Sequence, residues 1–198
     1  AKVSYEKAIE DFSKKRTQEG FESLKKSLEL FPDYYLALHR FGLELFIIKQ
    51  YMESAQVFLK AVDVNPKSAT SFYYLAYSFH NLGKDYNKAA LRSLDHAHIL
   101  APASPQVLLL FGRVERAAKK FDEAEKHLLK AKKVATTKVP EIHKELAQLY
   151  ANDLKKFDLA ASELELYLQA SKASGEEEKK MKEQIALLRA KAKKQGGN

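Results

Sequence analysis

An all-α fold of stacked antiparallel helix pairs is predicted by three observations. Between Tyr35 and Pro66, residues Leu38, Phe41, Gly42 and Leu45 recur at i, i+3, i+4 and i+7, one face of a helix. Ser54, Phe58 and Ala61 mark a second helical face before Pro66 closes the stretch. Second, the closing proline recurs: Pro32 lies 34 residues before Pro66, and Pro102 lies 36 after it. Third, only 7 Gly and 5 Pro among 198 residues leave little sequence for irregular structure, while 45% hydrophobic residues suffice to face a helical stack.

The elements follow in order. Tyr5, Ala8, Ile9 and Phe12 give a short first helix, and Phe21, Leu24 and Leu28 a second, around a polar turn at 13–17. The Tyr35–Pro66 stretch follows, with Gly42 expected where another helix crosses closely, since glycine inside a helix costs about 1 kcal/mol against alanine. From Ala69, Phe72, Leu75, Ala76 and Phe79 repeat the packing face, and Asn81–Lys84 signals a turn. The helix through Ala89, Ala90, Leu94 and Ala97 stops before Pro102. The longer Pro66–Pro102 interval implies two inserted residues, expected around Asp85 and within that second helix. Pro105 opens the next pair, with Leu108, Phe111, Gly112 and Glu115 on one helix and Phe121, Ala124, Leu128 and Ala131 on the other. After a loop at 135–138, Pro140 opens a fifth pair through His143, Leu146, Ala147 and Tyr150, then Phe157, Ala160, Leu164 and Tyr167. A last helix over 176–194 carries Met181, Ile185 and Leu188 on one side, with acidic residues leading it and basic residues ending it, as the helix dipole favours. The Gly196–Asn198 end is expected to fray.

The large, small and aromatic residues at these offsets, closed by proline, resemble the tetratricopeptide repeat, with Leu38 and Leu45 standing for its Trp and Tyr. The resemblance covers nearly the whole chain. It implies one domain, 1–198, of five repeats (1–34, 35–68, 69–104, 105–139 and 140–172) and a capping helix, coiled as a right-handed superhelical solenoid. It also implies that the first helix of each repeat lines a concave groove. Carried over residue by residue, the groove wall is His39, Leu43 and Phe46, then Tyr73, Tyr77 and His80 with Tyr74 and Asn81 beside them, then Leu109, Arg113 and Arg116, then Lys144 and Gln148 with Asn152 one position on. Spacing supports this separately, because residues 73, 77 and 80 share a helix face rotated from that of 72, 76 and 79.

The function expected from the resemblance is a non-catalytic protein-interaction scaffold. Its partner is a protein or peptide segment, with acidic or C-terminal carboxylate groups met by the arginines. The clamp that some family members close on chaperone tails is not matched, since its positions hold Tyr5, Ile9, His39 and Leu43. A neighbour's terminal helix could also enter the groove and make a homo-oligomer.

The net charge of +8 favours acidic partners without forming a single clustered patch. The alternative reading is electrostatic binding of nucleic acid or an anionic membrane surface, with Arg189, Lys191, Lys193 and Lys194 as its basic cluster. No nucleophile elbow, phosphate loop or H-E-x-x-H motif is present, so no enzyme activity and no cofactor are expected. No metal is expected either: His96 and His98 point to different sides of a helix, and the remaining histidines read as surface or groove residues. The absence of cysteine removes disulfides and thiol chemistry. No apolar run reaches the roughly 18 residues that span a bilayer. The compartment stays open between cytoplasmic and bacterial extracytoplasmic.

Overall fold

Short amphipathic helices cannot bury their apolar stripes alone, and within each of two units every helix packs against the next. The computed structural model describes residues 1–196; of the end expected to fray, Gly196 closes a helix while Gly197 and Asn198 lie outside the described residues. The described residues form α-helices and no strand, and divide into two compact units, Ala1–Pro102 and Ala103–Asn198.

In the first unit, α1 (Lys2–Ser13) packs on α2 (Thr17–Leu30), α3 (Tyr35–Ile47) on α4 (Tyr51–Val64), and α5 (Ala69–Leu82) on α6 (Asn87–Leu100). Ala8, Leu24 and Ala37 are fully buried between the first two pairs. Leu38, Ala55, Phe58, Ala61 and Leu75 fill the space between α3, α4 and α5. The close crossing expected at Gly42 is present: a Cβ there would stand 2.9 Å from the Phe58 ring. Ser54, fully buried on α4, donates 2.9 Å to the Gly42 carbonyl and lies 3.0 Å from Ser78 Oγ of α5, so one hydroxyl ties three helices.

Of the two extra residues between Pro66 and Pro102, one lengthens α5 to 14 residues against 13 in α3 and the other falls in the connector, 83–86 against 48–50. A single 3-10 turn, Lys84–Tyr86, precedes α6, and α6 has 14 residues like α2 and α4. The expectation that part of the insertion lengthens the second helix is therefore corrected. An extra residue inside α6 would rotate its buried face away from α5, whereas a helix end or a turn absorbs it without disturbing packing.

In the second unit, α7 (Pro105–Ala117) packs on α8 (Phe121–Val134), and α9 (Pro140–Gln148) continues as a π-helical turn, Leu149–Asp153. Helix α10 (Phe157–Ser171) and α11 (Gly175–Gly196) complete it. Its core is Leu108, Leu109, Leu128, Ile142, Leu146, Leu149 and Tyr150 with small residues between them. Gly112 permits a still closer crossing, since a Cβ there would lie 2.4 Å from Leu128 Cγ.

One turn geometry recurs. Lys15, Lys49 and Lys119 are left-handed (φ 59°, 64° and 60°), each just past the end of an odd-numbered helix. The following amide reaches back across the turn: Arg16 to Asp11 O (2.9 Å), Gln50 to Leu45 O (2.9 Å) and Lys120 to Glu115 O (2.8 Å). This is the Schellman closure of a helix C-terminus, where glycine is the usual residue. After α5 the C-cap is Gly83 (φ 104°, ψ −172°), whose extended ψ leads into the 3-10 turn in place of that closure. After α9 the left-handed residue is Lys155 (φ 56°), 15 residues after Pro140, whereas Lys119 follows Pro105 by 14. The π-helical turn takes up that additional residue, and Lys156 N accordingly reaches one residue further back, to Tyr150 O at 2.9 Å.

Candidate functional site

The residues expected to line a groove occur as two separate sets, one in each unit. In the first, α3 contributes His39, Leu43 and Phe46 and α5 contributes Tyr73, Tyr77 and His80, all half-buried. Their rings form a connected cluster. Phe46 lies 4.9 Å from Tyr77 and 5.5 Å from Tyr74, and Tyr73 meets Tyr77 at 5.8 Å. Tyr74 stacks on buried Phe58 (5.7 Å, 11°), and His39 sets its edge on the same Phe58. Tyr74 thus couples the surface rings to the core, a role that spacing alone did not reveal. Burial, and secondarily the neighbouring Arg40 charge, hold His39 below the usual imidazole range. Asn81 is exposed and donates 2.8 Å to the Tyr77 carbonyl.

In the second unit the arginines expected to grip a ligand are already engaged. Arg113 Nε donates to Glu145 Oε1 at 2.7 Å. Arg116 donates from Nε to Asp153 Oδ2 at 2.6 Å and from Nη1 to Gln148 Oε1 at 2.8 Å. Both arginines are half-buried, so these charge-assisted bonds clamp α7 to α9 and its π-helical turn. Leu109 is 7% exposed and belongs to the core, its neighbours leaving no wall surface. Glu145 and Asp153 were not singled out from sequence. The available signal was their offset of 32 residues from Arg113 and 37 from Arg116, close to one helix-pair period.

The second unit also holds an open cleft of about 660 Å3 formed by α9, its π-helical turn, α10 and α11. Lys144, Gln148 and Asn152 stand along one side, and Leu164, Tyr167, Met181 and Leu188 supply apolar surface. Lys180 and Glu177 of α11 mark the opposite rim. Lys144 Nζ lies 5.7 Å from the centre of the Tyr167 ring.

Two half-buried histidines are engaged with carboxylates. His127 Nδ1 is 2.8 Å from buried Glu115 and its ring stacks on Phe111, while His143 Nδ1 is 2.7 Å from buried Glu163, which also accepts from Lys132. The basic cluster near the C-terminus is partly committed as well. Arg189 is ion-paired with Asp158 and Glu165 of α10, and Lys191 lies over the Phe157 ring. Burial, with a hydrogen bond to Glu125, pushes the Tyr150 hydroxyl far above the usual phenol range.

No protein-family model matches the chain, and no curated protein sequence matches it. Solved structures do. A thermophilic TPR protein of Thermus thermophilus superposes with a TM-score of 0.69 at 19% identity, over 96% of this chain and 98% of its own. MamA (residues 41 to end) of Desulfovibrio magneticus RS-1 gives 0.73 at 18% identity, covering 86% and 93%. PilW, a widely conserved type IV pilus biogenesis factor, gives 0.79 at 17% identity, covering 97% and 87%. The chain has the tetratricopeptide-repeat fold. In tetratricopeptide terms, the Arg113–Glu145 and Arg116–Gln148 bonds join the first helices of adjacent helix pairs, and the cleft lies where the last such pair meets the terminal helix.

Proposed function

We propose that this chain is a non-catalytic scaffold that holds a peptide segment of a partner protein in the cleft between α9, α10 and α11. The observation that carries this reading is the cleft itself: its volume of about 660 Å3 falls within the range of ligand pockets, and an apolar floor meets a few convergent polar groups. Leu164, Tyr167, Met181 and Leu188 would take an apolar anchor, while Lys144 and Lys180 would receive an acidic group flanking it. The Arg113–Glu145 and Arg116–Asp153 pairs fix α9 before any ligand arrives, so little ordering cost falls on this side of the interface. The aromatic cluster of the first unit offers rigid, amphipathic contact surface for a further stretch of partner.

The test is selection of peptides from a displayed library on the full chain, followed by titration against Ala151→Phe, which fills the cleft, and Lys144→Glu. Selected peptides should bind the parent and lose at least tenfold in affinity to each variant, with melting temperatures unchanged. Peptides that bind all three proteins equally would show that the cleft is not the site.

A further inference from the structure

We propose that the first unit docks on an anionic lipid bilayer through the end that carries its odd-to-even helix turns. In a run of antiparallel helices the connectors alternate between the two ends, so the α1–α2, α3–α4 and α5–α6 turns share one end and the α2–α3 and α4–α5 turns share the other. The two ends differ in charge. Within the connectors themselves the first holds Lys14, Lys15, Arg16, Lys49 and Lys84 against Asp85, with Glu19 and Glu53 in the adjoining first turns of α2 and α4, whereas the second, 31–34 and 65–68, holds one Asp and one Lys. Lys14 and Arg16 are paired with Glu10 and Asp11. Lys15, Lys49 and Lys84 are exposed and have no carboxylate partner among the described residues. Two of them occupy the left-handed turn position at which glycine would be less strained, so a charge is held at the tip of the turn.

The same end carries an aliphatic tip. Ile47, Ile48 and Met52 are 60%, 43% and 40% exposed, and all lie within three residues of Lys49. This combination selects among anionic partners. The surface potential of an anionic leaflet attracts each lysine, while aliphatic side chains leave water at the boundary between headgroups and acyl chains. A nucleic acid would use the lysines on its phosphates, but an aliphatic tip serves it chiefly as a wedge between base steps, which must first be unstacked, whereas a bilayer takes up the same tip directly. Lysine stems can lie along the apolar tip with their ammonium groups at headgroup level.

The experiment is vesicle co-sedimentation of the full chain with phosphatidylcholine alone and with about one-third phosphatidylserine, at low and high salt. Binding is expected only to the anionic vesicles and should weaken as salt rises. Replacing Lys15→Glu, Lys49→Glu and Lys84→Glu together should lower affinity by roughly 100-fold or more, taking about fivefold for each lysine lost. A second set, Lys15→Gly, Lys49→Gly and Lys84→Gln, removes charge without burdening the turns and should show the same order of loss. Ile47→Ser with Ile48→Ser should weaken binding about tenfold while leaving the salt dependence intact. Equal binding to both vesicle types, or unchanged binding by the lysine variants, overturns the proposal. So does tighter binding to a DNA oligonucleotide that survives the Ile→Ser pair, which would assign the lysines to nucleic acid. These variants lie outside the α9–α11 cleft, so peptide binding there should persist whichever result is obtained.

Discussion

Replacing Lys119 by glycine should stabilise the second unit. Lys119 sits at φ 60°, is exposed, and makes no side-chain bond that its removal would break. Its amide donates 3.0 Å to the Arg116 carbonyl and the next amide closes the turn to Glu115 at 2.8 Å; glycine retains both bonds. A side chain in the left-handed region costs about 1–2 kcal/mol. Glycine's greater freedom in the unfolded chain returns roughly 0.5–1 kcal/mol of that. The net gain is then up to about 1.5 kcal/mol, centred on ~0.75 kcal/mol, and for a chain of this size 1 kcal/mol corresponds to about 2–4 °C in Tm. The assay is calorimetric or circular-dichroism melting beside urea unfolding, with the denaturant slope unchanged. The neighbouring Ala118→Gly supplies the opposite sign: Ala118 has φ −84°, so glycine there brings only flexibility and should lose up to about 1 kcal/mol. If Lys119→Gly lowers Tm as Ala118→Gly does, the strain argument fails for this turn and, by the same geometry, for Lys15 and Lys49.

Further outcomes follow from other contacts. Gly112→Ala should destabilise by about 1–3 kcal/mol in urea unfolding, because its Cβ would meet Leu128 at a branch carbon rather than at a flexible tip. Arg116→Ala should lower Tm more than Lys120→Ala, since it leaves Asp153 and Gln148 half-buried without their donor. Ser104→Ala removes the cap that accepts from Val107 N and should cost about 1 kcal/mol, read from the same unfolding curves. For His39 the folded-state pKa is depressed, so as pH falls below about 6.5 the unfolded chain takes up the proton first and stability declines. His39→Gln should flatten that part of the stability–pH profile, and a profile identical to the parent's would refute the assignment.

The periodicity of apolar residues determined the helices, because an amphipathic stripe at 3.6-residue spacing is a local property. Gly42, the proline interval and the face through Met181, Ile185 and Leu188 were legible for the same reason: each states what a neighbouring helix must do. The Lys15, Lys49 and Lys119 turns read only as polar, since left-handed lysine has no composition signal that separates it from any solvated turn. The groove set was legible as positions on helix faces, but not as availability. Whether Arg113 and Arg116 await a ligand or bind Glu145, Gln148 and Asp153 depends on which carboxylates the next helix pair brings within 3 Å, and that is fixed by packing. Leu109 likewise lies in the core and not on the wall, because α7 is buried on every face from Val107 to Gly112, and spacing marks one apolar face without showing how many are covered. The cleft between α9, α10 and α11 and the unequal charge of the first unit's two ends exist only once helices are stacked. Sequence sets what each helix offers; stacking decides which offers are already taken.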